Sequence, residues 1–222
     1  MSDAPAGRLA RVREEVDRAA WAAGRDPASV RLVAVGKTFP PAALEALYRA
    51  GQRDFGENRV QEAAAAVRTF RWVHSVESLS LAHRLERLAA DAGRTIEALV
   101  QVDLAGEASK FGVAPAELDP LLAAARAFRF VKVRGLMLLP PYDPDPEKTR
   151  PHFRRLREIA AALESRGLLG FSGPVDLSMG MSHDFAVAVQ EGATLIRLGT
   201  ALFGGRPAGG PAAPAGEGAQ AE

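Results

Sequence analysis

Apolar residues recur at three- and four-residue spacing over 6–23, where Leu9, Val12, Val16, Ala19 and Ala20 share one side. That period predicts an amphipathic helix. After the Asp26-Pro27 turn the pattern changes, and RLVAVG at 31–36 is a short apolar run of strand length. A helix follows over 41–50, with proline in its first turn and Gly51 just past its end. The alternation then repeats. Runs of strand character lie at 53–57, 73–76, 97–103, 133–139, 175–179 and 194–198, and helical segments at 59–69, 78–91, 115–127, 149–166 and 183–191. Ser78 and Ser182 are placed to cap the helices that begin beside them. Seven strands alternating with helices imply parallel βαβ units.

Such units build either an open doubly wound sheet or a closed (β/α) barrel. The turn after the first strand, VGKTFP, is neither GxGxxG nor a Walker loop. Polar and glycine residues gather instead at many strand exits: Lys37, Glu57-Asn58, His74-Ser75, Asp103, Ser178 to Ser182, and Gly199-Thr200. That distribution predicts a TIM barrel whose working face is assembled from the strand ends. Residues 1–205 form its single domain, and the Pro/Gly/Ala-rich tail 206–222 is expected to be disordered.

Composition narrows the chemistry. With 28 Lys plus Arg against 27 Asp plus Glu, the net charge of +1 gives no electrostatic case for nucleic-acid binding. The absence of cysteine excludes disulfides, thiolate metal sites and thiol nucleophiles. The four histidines lack metal-site spacing, so no metal is expected. No apolar run approaches the ~18–20 residues that span a bilayer, and the charged N-terminus is unlike a signal peptide. The expectation is a cytoplasmic chain without membrane contact.

Few residues can do amine chemistry, because only Lys37, Lys110, Lys132 and Lys148 are lysines. Lys37 is either a solvated lysine at a strand exit or, partly desolvated at a barrel mouth, an imine-forming nucleophile. Ser178, Gly180, Ser182, Gly199 and Thr200 are either turn formers and caps or an anion site of backbone amides and hydroxyls at two adjacent strand ends. Glu57 and Asn58 suit a helix cap. Met137, Met179 and Met181 suit core or pocket lining. His74 and His83, without an acidic partner in view, read as ordinary polar residues outside the site.

Taken together, LVAVGKTFP (32–40), DFGENRVQEA (54–63), HSVESLSLAHRL (74–85), VQVDLAGEASKFGV (100–113), RGLMLLPP (134–141) and DLSMGMSHDFAVAVQEGATLIRLGTALFG (176–204) resemble the YggS/PROSC family of pyridoxal phosphate homeostasis proteins. The resemblance implies an alanine racemase-like barrel holding pyridoxal 5′-phosphate (PLP) as an aldimine of Lys37. It implies phosphate contacts from Ser182, Gly199 and Thr200, Arg197 facing the pyridine nitrogen, and Asn58 and Met179 near the ring. It also implies a monomeric carrier or regulator of PLP supply, without catalysis of its own, whose recipients would be PLP-dependent apoenzymes.

An arginine against the ring nitrogen disfavours its protonation and weakens the ring as an electron sink. No well-placed second acid or base is evident, since the only tyrosines are Tyr48 and Tyr142. Binding therefore fits better than racemisation. A racemase-like enzyme and a degenerate member that no longer binds PLP are the alternatives. One departure bears on the last of these. Family members carry a segment like WHFIGxLQxNK as their third strand, whereas here VRTFRWVHSVES (67–78) runs straight across. The expectation is a barrel lacking its third βα unit. It should have an open gap, a rearranged closure, or 66–73 pressed into service as wall.

Overall fold

In the computed structural model, which describes residues 4–37, 39–57, 63–104 and 112–204, seven parallel strands curl into one sheet. They are β1 (Arg31–Val35), β2 (Phe55–Gly56), β3 (Trp72–Val76), β4 (Ile96–Gln101), β5 (Val131–Met137), β6 (Asp176–Ser178) and β7 (Leu195–Leu198). Their spatial order is β2-β1-β7-β6-β5-β4-β3. Helices α1 (Pro5–Ala22), α2 (Pro41–Arg49), α3 (Ala63–Thr69), α4 (Leu79–Asp91), α5 (Leu118–Ala125), α6 (Arg150–Ser165), α7 (Phe185–Gln190) and α8 (Thr200–Phe203) alternate with them. The seven-stranded α/β arrangement agrees with the expectation. The second strand is shorter than its sequence run, because only Phe55 and Gly56 reach β1. The tail 206–222 and the start of the expected helix at 59–62 lie outside the described residues.

Side chains alternating across the sheet build two cores. On the outer face, Ile196 and Leu198 of β7 join the helices. Leu9, Val12, Val16, Ala19 and Ala20 of α1 are all buried there, as their spacing predicts. Each large aliphatic side chain so buried contributes about 1.5–3 kcal/mol. Leu99, Met137 and Leu195 form a second, smaller cluster, with Val33 and Trp72 packed on it. This is the barrel interior. Ser78 caps α4 as expected, its hydroxyl accepting from the Leu81 amide at 3.1 Å.

Beneath the inner cluster lies a charged floor. Asp176, 8% exposed, accepts from Arg31 at 3.0 Å and from the Thr194 hydroxyl at 2.9 Å. Gly135 pairs with Asp176 across β5 and β6, and a methyl there would sit 1.9 Å from the Asp176 carbonyl oxygen. Only glycine permits that approach.

The missing unit leaves a seam. β2 and β3 are the two ends of the sheet, and among the described residues no strand stands between them. Of the segment 66–73 expected as a substitute wall, residues 66–69 belong to α3 and Trp72-Val73 begin β3 itself, so no additional strand is built from it. The edge strand β3 is tied instead across the interior. Arg31 of β1 lies over the Trp72 ring at 4.9 Å, and His74 reaches Ser178 of β6 at 3.1 Å.

Candidate functional site

Parallel pairing of β1 with β7 aligns Val33 with Arg197 and Ala34 with Leu198. The residues that follow, Gly36-Lys37 and Gly199-Thr200, therefore leave the sheet side by side. A methyl at Gly199 would lie 3.6 Å from the Val35 carbonyl oxygen, which measures how close the two exits run. Lys37 is half-buried. Its turn closes through the Phe39 amide, which donates to the Gly36 carbonyl at 3.0 Å. The Phe39 ring then stacks on Phe203 of α8, centroids 4.6 Å apart, which holds the two exits together.

The loop after β6 supplies the third side. Gly180 turns the chain at φ +92°, where a methyl would meet Ala188 Cβ at 2.6 Å. The turn brings Ser182 back towards β7. Its Oγ accepts from the Gly199 amide at 3.2 Å and the Ala201 amide at 3.1 Å. Here the structure corrects one sequence expectation. Ser182 caps α8, the helix after the neighbouring strand, and α7 begins behind Asp184 without a side-chain cap. The Asp184 carboxylate turns back to accept from the Met181 amide at 2.6 Å. Burial raises its pKa, with that amide and the charges of His183 and Arg197 pulling the other way.

A polar layer crosses the mouth beside this cup. Arg197 donates through Nη1 to Ser178 Oγ at 2.7 Å and through Nη2 to the Leu138 carbonyl at 3.0 Å. Burial lowers its pKa to about 10, against the opposing pull of Asp184, so it stays cationic at neutral pH. Ser178, fully buried, also meets His74 Nδ1 at 3.1 Å. Burial first, then the charges of Arg197 and Arg31, hold the His74 imidazole at a pKa of about 3. His74 is thus a neutral member of the site. Sequence reasoning left it out. The available signal was parity: Trp72 and His74 share one face of β3, and Asp176 and Ser178 share the inner face of β6.

Of the residues expected here, Lys37, Ser182, Arg197, Gly199 and Thr200 are brought to one end of the barrel. Thr200 is exposed at the first turn of α8. Met179 is fully buried and packs in the outer core, while Asn58 lies outside the described residues. Met181 is exposed at the rim and Met137 is in the inner core. A serine hydroxyl that gathers two amides, a desolvated guanidinium and an adjacent half-buried amine suit an anionic ligand that also carries an amine-reactive carbonyl. Among the described residues, no three His, Cys, Asp or Glu side chains could hold a metal. No helix there is long and apolar enough to cross a membrane.

Residues 55–207 match the family described as alanine racemase, N-terminal domain. The pyridoxal phosphate homeostasis protein of Pseudomonas aeruginosa is 40% identical, over 92% of this chain and 96% of its own. That of Aquifex aeolicus is 36% identical, over 90% and 97% respectively. The structure of PipY from Synechococcus elongatus, with PLP bound, superposes with a TM-score of 0.78 at 37% identity, covering 90% of this chain and 100% of that one. The Pseudomonas alignment runs over 231 positions, more than the 222 residues of the chain. The relative therefore carries residues with no counterpart here, consistent with the shortened wall.

Proposed function

Because the chain belongs to the pyridoxal phosphate homeostasis protein family, on a barrel of the alanine racemase N-terminal kind, we propose that it binds PLP at the mouth described above. In the cytoplasm, as a monomer, it holds the cofactor for PLP-dependent apoenzymes and does not turn over a substrate. The observation that carries this is the convergence of the Gly199 and Ala201 amides on Ser182 Oγ beside the exit that bears Lys37.

Each residue then has a task. The Lys37 amine is the covalent attachment point. Ser182, Gly199 and Thr200 hold the phosphate, and the family resemblance adds Asn58 near the ring; Met179, packed in the outer core, backs the β6 exit from behind and does not face the ring. When bound, the cofactor supplies an electrophilic aldehyde on an electron-withdrawing ring. Arg197 faces the ring nitrogen as a donor, and a cation there keeps that nitrogen unprotonated. That favours storage over carbanion chemistry. His74 is committed to Ser178, and Tyr48 lies on α2 beneath Arg53, so neither offers itself as a proton shuttle.

The test is to load the purified chain with PLP, reduce it with borohydride and map the labelled peptide. One label on Lys37, with no α-hydrogen exchange of amino acids above that of free PLP, is the expected result. Folded chain that takes no label, or takes it on another lysine, overturns the proposal. Enzymatic exchange lost with Lys37→Ala would favour a racemase-like enzyme instead.

A further inference from the structure

His74 stands on the edge strand β3, and the proposed function gives it no part in the phosphate cup or the attachment point. Yet its Nδ1 meets Ser178 Oγ at 3.1 Å, and the same oxygen receives Arg197 Nη1 at 2.7 Å. A guanidinium can only donate, so the Arg197 bond uses a lone pair of the Ser178 oxygen. Ser178 is fully buried, and among the described residues His74 Nδ1 is the acceptor in reach of its proton. Any other assignment leaves a buried hydroxyl proton unmatched, a loss that protein interiors rarely tolerate. The chain of donors therefore runs from Arg197 through Ser178 to His74, with the imidazole proton on Nε2.

We infer that His74 is a positioning residue for the bound cofactor ring: by taking the Ser178 proton at Nδ1, it keeps the hydroxyl turned as an acceptor towards Arg197 and so sets the direction of the guanidinium. This rests on the proposed placement of the ring nitrogen against Arg197. The second anchor of Arg197, the Leu138 carbonyl at 3.0 Å, fixes only one of its nitrogens. Without an acceptor at position 74, the Ser178 proton can swing towards the guanidinium, and the arginine is left free to pivot about that remaining bond. The imidazole stays neutral because desolvation and the charges of Arg197 and Arg31 disfavour its protonated form, so it can act as an acceptor throughout the ordinary pH range.

The experiment compares wild type, His74→Leu, His74→Asn and Ser178→Ala by PLP titration, borohydride labelling and the absorbance maximum of the bound cofactor. His74→Leu is expected to take its label on Lys37 with a Kd raised about fivefold, the loss of one hydrogen bond, and with a shifted absorbance maximum. His74→Asn, whose amide oxygen can stand in for Nδ1, should restore both. Ser178→Ala, on a different strand, should reproduce the His74→Leu shift, and the double variant should add nothing to it. Histidine 15N NMR of the cofactor-free chain should show His74 with Nδ1 as an unprotonated acceptor, a signal that moves in Ser178→Ala. A wild-type spectrum and affinity in His74→Leu overturn the inference, as does a shift that Ser178→Ala fails to share or that adds in the double variant. Should wild type itself take no label, the binding proposal fails, while the NMR signal still decides whether the relay exists. If His74→Leu does not fold, Ser178→Ala and the NMR measurement carry the test.

Discussion

The Arg31 guanidinium lies 4.9 Å from the centroid of the Trp72 ring and joins β1 to the edge strand β3 through the middle of the barrel. The same arginine is paired with Asp176 on the floor at 3.0 Å. An isolated surface pair of this kind is worth little. Here Asp176 is buried, Arg31 and Trp72 are half-buried, and the indole packs on the inner cluster of Leu99, Met137 and Leu195. With no described strand between β2 and β3, that contact holds the curl where hydrogen bonding around the wall does not.

Trp72→Ala should therefore destabilise the chain by about 3 kcal/mol, combining lost burial with the lost cation contact. Trp72→Phe should retain most of the packing and cost about 1 kcal/mol. Urea unfolding checks both, and equal stability of Trp72→Ala and wild type would remove the contact as a closing device.

Gly135→Ala should cost about 3 kcal/mol or more, at the upper end for overpacking. The added methyl would sit 1.9 Å from backbone of β6, which has no flexible end to give way. Thermal unfolding of whatever folded protein accumulates is the measurement. A near-native melting temperature would show that β5 and β6 can separate.

Acid should act through His74. Its folded pKa of about 3 lies below the free value of 6.5, so the unfolded chain binds the proton more readily. The associated stability is complete above 6.5 and is lost as pH falls towards about 3. The loss grows by about 1.4 kcal/mol for each pH unit across that window. Urea midpoints measured from pH 7 to pH 4 should fall less steeply in His74→Asn than in wild type. In the folded chain, the His74 ring signals should not titrate between pH 5 and pH 8.

Ser182→Ala removes the shared acceptor of the Gly199 and Ala201 amides. Loss of such a cap costs about 1 kcal/mol. In the proposed function it also weakens the phosphate grip, so the Kd for PLP should rise more than that for a dephosphorylated analogue. Calorimetry with pyridoxal and PLP separates the two effects. Equal weakening for both ligands would take Ser182 out of the phosphate cup.

The seven-strand barrel was legible because its apolar runs are short, regular and punctuated by Gly, Pro and capping residues. Lys37 and Gly199 were legible for a related reason: each follows directly on an apolar strand, so local order alone puts them at an exit. What local order cannot supply is the partner across the interior. His74 and Ser178 are 104 residues apart, and Arg31 and Asp176 are separated by 145. Nothing in VHSVES says which side chain will face which strand once the missing unit alters the curl. Ser182 was misread in the same way. Its neighbours in sequence suggested a cap for the helix beside it, whereas the Gly180 turn delivers its hydroxyl to the next strand's helix.

The stacking of Phe39 on Phe203 couples the segment behind Lys37 to α8, whose first residue is Thr200. The two hands that would grasp opposite ends of the cofactor thus share one hinge pin. Prying the rings apart would slacken both at once, so in the proposed function release of the cofactor would proceed as a single concerted opening, quickened by a mutation as modest as Phe39→Ala.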